Sequence, residues 1–273
     1  MDDHPPPRRP DRSLQITERD QLLLAFAADH RFVLCSQVRS LLGISSAAAY
    51  ARLRALSVAG YLRSERKLHG EPAGYQITRD GLRAIGSDLS RPRAIDLATY
   101  RHDAGLAWLM LAARGGRFGP LREAVSERRM RSHDARPDRS AAPFGIRLGG
   151  VGPGGRERLH YPDLLVVTES GHRVAFELEL SSKSPARREG ILAAYAADRQ
   201  IDAVVYLVDR KSVGRGISQS AARVGVSGRV HVQNVNWGAA GGRVHDRAAA
   251  ERIRPPGVRS PTNDGGRTAS CTP

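Results

Sequence analysis

Hydrophobic positions recur at helical spacing through the first third of the chain and at strand spacing through much of the rest. At 17–29, Leu23, Phe26 and Ala27 form an apolar stripe behind a capping-box-like start at Thr17 and Asp20. Phe32-Val-Leu34 reads as a short extended piece. Ser36 can cap a helix ending at Leu42, with Gly43 suited to the residue after it. Ser45 or Ser46 can cap the next helix, to about residue 58. On that helix Ala49, Leu53 and Leu56 share one face, while Ser46, Tyr50 and Arg54, four residues apart, share another. Gly60-Tyr-Leu62, a polar run from Arg63 to Lys67, a loop with Gly70, Pro72 and Gly74, and Tyr75-Gln-Ile77 predict a hairpin. Thr78 then caps a helix to about Gly86.

In the second half, Ala104, Leu106, Ala107, Leu109 and Leu111 predict a helix over 99–113, ended by Gly115-Gly116. A strand is expected over 124–130. Residues 132–160 hold Pro and many Gly and read as a long loop. Two apolar runs, 163–168 and 173–180, flank Glu169-Ser-Gly-His172, which has turn composition. Ser184 caps a helix with Pro185 at its first position, its preferred place, and Ile191, Leu192 and Tyr195 face inward. A buried strand (202–208), a helix (212–224) and a last strand (229–235) complete the order: helix, three strands, helix, strand, helix, strand. The expected organisation is a disordered tail (1–13), a small helical domain with a hairpin (14–87), a linker (88–96), an α/β domain (97–237) and a disordered basic tail (238–273).

Charge narrows the partners. The 273 residues hold 43 Lys and Arg against 28 Asp and Glu, a net charge of +15. Such a surplus favours polyanions such as double-stranded DNA. Only Lys67, Lys183 and Lys211 are lysines, so a compositional bias toward Arg explains part of it. The surplus is largest over 91–160, with 14 cations against seven anions. Cys35 and Cys271 are far apart and define neither a disulfide framework nor a zinc site. No run approaches about 18 consecutive apolar residues, and the opening Met-Asp-Asp-His has no signal character, so a cytoplasmic protein with no membrane partner is expected.

The chemistry concentrates in the two central strands. In the second, Val174, Phe176, Leu178 and Leu180 take one face, and Ala175, Glu177 and Glu179 the other. If the two runs pair as a hairpin, Asp163 comes close to Glu177 and Glu179. Three carboxylates so placed repel one another unless a cation, a proton or water screens them. A divalent metal, Mg²⁺ or Mn²⁺, is the usual functional answer. The plainer reading makes the two glutamates a solvated strand face. His102 reads as a packed or surface helix residue, and His160 and His172 match no metal-ligand spacing.

Two resemblances follow from these residues. The first region, and above all its ending Tyr75-Gln-Ile-Thr78-Arg-Asp-Gly81, resembles a MarR-type winged helix. That resemblance places Ser46, Tyr50, Arg52 and Arg54 toward a DNA major groove, and Arg63, Arg66, Lys67 and His69 on a wing that meets phosphates or a minor groove. The Ala-rich recognition helix offers few side chains for base readout, so a homodimer is an expected aid to specificity. A winged helix used for protein contacts is the competing reading.

The second region, with Pro162-Asp163 and then Glu177-Leu-Glu179, resembles the PD-(D/E)xK nuclease fold. The resemblance implies Asp163 and Glu177 as metal ligands, with Glu179 standing where that family has Lys. Lys183 is the nearest substitute near a scissile phosphate. Together with His102-Asp103 and Tyr195, the whole resembles the replication-relaxation family of actinobacterial plasmids and mobile elements, over roughly residues 14–237. That implies a DNA-associated role in plasmid replication or transfer, alongside other proteins of those processes. It leaves open whether the second domain is an active or a degenerate metal-dependent endonuclease. The alternative is a transcriptional regulator whose second domain senses a ligand or dimerises.

Overall fold

The computed structural model describes residues 14–67, 69–136 and 142–235; the tails expected at 1–13 and 238–273 lie outside them. The chain is mixed α and β, with eight α-helices and a mixed five-stranded sheet among the described residues.

Local capping sets the first elements. Helix α1 (Glu18–Asp29) begins at Thr17, whose hydroxyl accepts from the Asp20 amide while the Asp20 carboxylate accepts from the Thr17 amide, a complete capping box. Helix α2 (Cys35–Leu42) ends at Gly43, in the left-handed region at φ 63°. Helix α3 (Ser46–Val58) is capped by Ser45, which accepts from the Ala48 amide at 3.2 Å. Strands β1 (Leu62–Glu65) and β2 (Gly74–Ile77) pair antiparallel, and the Phe32–Leu34 piece joins them through a Val33–Tyr75 bridge. Helix α4 (Arg79–Ala84) starts at the Thr78 cap.

Residues 88–96 have neither helix nor strand, yet Leu89, Pro92 and Ile95 are buried. The Gln76 side chain binds the Arg31 and Arg93 carbonyls at 2.8 and 2.7 Å, which pins this stretch to β2.

The large sheet has five strands in the order Leu121–Ser126 (β3), Leu164–Thr168 (β6), Arg173–Glu179 (β7), Ala203–Val208 (β8) and Val230–Asn234 (β9). Strands β6 and β7 are antiparallel, and β7, β8 and β9 are parallel. The parallel pairs are joined by helices α7 (Pro185–Ala197) and α8 (Lys211–Val224). Val174, Phe176 and Leu178 pack with α5 (Tyr100–Arg114) in a core that continues into α1, α3 and β2. Ala175 faces the opposite core, with Leu192 and Tyr195 of α7 and Ile217 of α8. Gly105 lets α5 lie close on β7, because a Cβ there would collide with the Leu178 side chain.

Two expectations are corrected. The strand expected over 124–130 is strand β3 (Leu121–Ser126) followed by helix α6 (Glu127–Asp134). Ser126 ends the strand by capping the helix, accepting from the Arg129 amide at 3.3 Å, and Glu127 pairs with Arg131 one turn on. The loop expected over 132–160 contains an antiparallel hairpin, β4 (Ile146–Val151) with β5 (Glu157–His160).

The two halves are fastened to each other. Arg129 bonds Asp29 at 2.5 Å, Arg31 lies 3.5 Å from Asp103, and Gln37 donates to the Ala104 carbonyl at 2.8 Å. Among the described residues no helix is long and apolar enough to cross a membrane.

Candidate functional site

The register of β6 on β7 pairs Leu164 with Phe176 and Leu165 with Ala175, so Asp163, one residue ahead of β6, comes opposite Glu177. Glu177 and Glu179 are buried, at 3% and 5% exposure, on the strand face that also carries Ala175. A solvated strand face is therefore the wrong description of these glutamates. Asp163, Glu177 and Glu179 lie near one another at the end of the sheet where the central strand β7 finishes (the acidic sheet edge), and Lys183 joins them.

Each acid has its own basic partner. Asp163 Oδ2 lies 3.2 Å from His102 Nε2 and accepts from the Leu178 amide at 2.7 Å. Glu177 Oε1 lies 2.7 Å from His160 Nε2 and accepts from the Tyr195 hydroxyl at 2.5 Å. Glu179 accepts from the Lys183 ammonium. His102 and His160, read from sequence as bystanders, are thus members of the cluster. Helix α5 brings His102 in, and the Gly105 contact sets how close that helix comes.

The electrostatics follow from burial and pairing. Burial alone would push the His102 imidazole down; hydrogen bonds and charge from Asp103 and Asp163 outweigh it and carry its pKa up to about 10. Burial opposes ionisation of Asp163, yet the His102 bond and charge hold its carboxyl below the usual value. Burial likewise opposes the His160 charge, and Glu177 overcomes it and raises the pKa. Glu179 is raised by burial, with Lys183 opposing and Glu177 and Asp163 adding. Burial also raises Tyr195 and Tyr206, and the nearby Glu177 charge adds to both.

The side chains that would hold a Mg²⁺ or Mn²⁺ are already bonded within the chain. A divalent ion needs several carboxylate oxygens turned to one point, and here one oxygen of each acid is engaged by a histidine or a lysine of the chain. Among the described residues no group of three or more His, Cys, Asp or Glu side chains is placed to hold a metal ion.

The first region arranges its charges differently. Ser46, Tyr50 and Arg54 lie on the exposed face of α3, with Tyr50 58% exposed. Arg54 and Arg66 are exposed and meet no acid among the described residues; His69 is exposed on the hairpin loop. Arg63 donates to Gln76 Oε1 at 2.7 Å, and Lys67 pairs with Glu65 at 2.6 Å. Arg52 is a correction. Its guanidinium grips both oxygens of the buried Asp20 instead of facing outward with Arg54. Two residues along a helix turn a side chain by about 200°, which separates Arg52 from Arg54.

No family model and no curated protein matches this chain.

A small cavity of about 20 Å³, roomy enough for about one water molecule, lies where the halves meet, lined by His30, Asp103, Ser126, Arg128 and Asp163 among others. His30 is buried and its Nε2 has no hydrogen-bond partner.

Proposed function

We propose that the chain is a double-stranded-DNA-binding protein: a MarR-like winged helix joined to a PD-(D/E)xK-like domain whose metal-dependent nuclease site is degenerate. The observation that carries this is the pairing of an exposed α3 face, with Ser46, Tyr50 and Arg54, and a neighbouring hairpin that presents Arg63, Arg66, Lys67 and His69. Arg54 and Arg66, exposed and without acidic partners among the described residues, suit phosphate contacts, which supply most sequence-independent affinity, whereas Arg63 and Lys67 share Glu65. In the second domain, Glu179 replaces the expected lysine, and the three acids are occupied by His102, His160 and Lys183. Both features support association with DNA over cleavage of it. The resemblance to the replication-relaxation family supports a place in plasmid or mobile-element replication or transfer, with other proteins of those processes as partners.

The decisive experiment measures duplex affinity over a salt series. Arg54→Ala weakens binding, and Arg66→Ala with Lys67→Ala lowers the slope of log K against log salt by roughly 1 to 2. Unchanged affinity and slope in both would leave the exposed face to protein contacts. Incubating supercoiled plasmid with the protein and Mg²⁺ or Mn²⁺ tests the degenerate site: nicking by the wild type that Asp163→Ala abolishes would establish an endonuclease instead.

A further inference from the structure

The hairpin loop and the acidic sheet edge are not remote from each other. Tyr100, the first residue of α5, donates from its hydroxyl to the Pro72 carbonyl of the hairpin loop at 3.2 Å and stacks on Phe32 at 4.9 Å between ring centroids. Two residues on, about 3 Å along the helix axis, His102 meets Asp163. Arg101 lies between them, exposed and without an acidic partner among the described residues. One turn of α5 thus links the hairpin to the sheet edge.

Helix α3 packs on the same hairpin, with Leu53 and Leu56 sharing a core with Leu62 and Tyr75. Beyond the acids, the edge continues with the first turns of α7 and α8. Arg187 and Lys211 are exposed there and meet no acid among the described residues, and Arg210 is held to the Leu180 carbonyl at 2.8 Å. The three acids offer no unpartnered carboxylate group to this path, because His102, His160 and Lys183 each hold one of them. A phosphate backbone passing over the edge meets paired charge, flanked by unpaired arginine and lysine.

We propose that the duplex held by α3 and the hairpin continues over the N-terminus of α5 onto the acidic sheet edge, so that one DNA molecule contacts both halves of the chain through Arg101, Arg187 and Lys211. This rests on the DNA-binding reading above and extends the contact surface beyond it. The junction favours it: Arg129–Asp29, Gln37–Ala104 and a shared hydrophobic core fasten the two halves together.

The test compares duplexes of about 12 and about 30 base pairs, roughly one and three helical turns, on the full chain and on Arg101→Ala/Arg187→Ala/Lys211→Ala. The expected result is a steeper salt dependence on the longer duplex. The triple variant reduces that slope by about 2 to 3, near 0.9 per lost phosphate contact, and binds the shorter duplex as the wild type does. That retained binding also reports that the variant folds. Equal wild-type slopes on both duplexes, or an unchanged slope for the triple variant on the longer one, would overturn the extended surface while leaving the α3 and hairpin reading in place. Failure of Arg54→Ala and Arg66→Ala/Lys67→Ala to weaken either complex would overturn both.

Discussion

The α3 face and the acidic sheet edge handle charge in opposite ways. On α3 and its hairpin, Arg54 and Arg66 extend into solvent with no acid among the described residues to meet them. At the sheet edge every acid is met: Asp163 by His102, Glu177 by His160 and Tyr195, Glu179 by Lys183. A buried charge must be paired or it costs several kcal/mol, whereas an exposed one costs almost nothing to leave single. Clustered charge alone is therefore a poor sign of a binding site. What distinguishes the two regions is whether the chain already satisfies the charge, and by that measure the cationic surface is the one left open to a partner.

Breaking the closed pairing has the largest expected effect. Glu177→Ala strands the His160 imidazole and the Tyr195 hydroxyl in a buried setting. It is expected to cost about 3 to 5 kcal/mol, read as a lower urea midpoint. A loss below about 0.5 kcal/mol, the range of ordinary surface substitutions, would return the cluster to a solvated face. The next effect comes from the first half. Arg52→Ala leaves the buried Asp20 with Thr17 but without its guanidinium, at a cost of about 2 to 3 kcal/mol. A variant as stable as the wild type would show that Arg52 is free to face outward after all.

Much of this was legible where the signal is local. The capping box at Thr17 and Asp20, the Ser45, Thr78 and Ser184 caps, and the period-two alternation along β7 each involve residues within a few positions of one another. Other features depend on contacts that no local pattern carries. His102 reaches Asp163 across 61 residues and Arg52 reaches Asp20 across 32. Helix α6 was hidden because Ala124, Val125 and Met130 also suit a strand, although Ser126 followed by Glu127 was a readable cap. The β4–β5 hairpin was masked by Gly149 and Gly150, both at positive φ, and by a shift in register between Arg147 and Val151. His160 was within reach of sequence reasoning: three acids need three counter-charges, and it lies three residues before Asp163.

Two histidines sharpen the comparison through pH. Burial, with Arg114 and Arg128 adding, lowers His30 to about 3, so its folded form resists protonation. Its contribution is complete above pH 6.5, the ordinary value, and is lost as pH falls from 6.5 toward 3. His102, raised to about 10, contributes fully below 6.5 and loses that contribution as pH rises through 10. Urea midpoints measured between pH 4 and 6.5 are expected to be flatter in His30→Leu than in the wild type, by at most about 1.4 kcal/mol per pH unit. Parallel curves would mean that His30 gains a partner when it is protonated.

The smallest stability effect belongs to Arg54, and it makes the sharpest contrast with Arg52. The two residues sit on one helix, two positions apart, with the same side chain. Arg52 is bonded to Asp20, and Arg54 has no acidic partner among the described residues. Arg54→Ala is therefore expected to shift the urea midpoint by less than about 0.5 kcal/mol. Its effect is instead expected in duplex affinity, a loss of about 1 kcal/mol or roughly fivefold, greater at low salt than at high. Arg54→Lys, which keeps the charge but not the planar fork, recovers most of that loss if the contact is to phosphate and little of it if the guanidinium reads a base edge. A variant that lost stability and kept its affinity would invert the comparison, making Arg54 part of the scaffold and leaving the exposed face without its central cation.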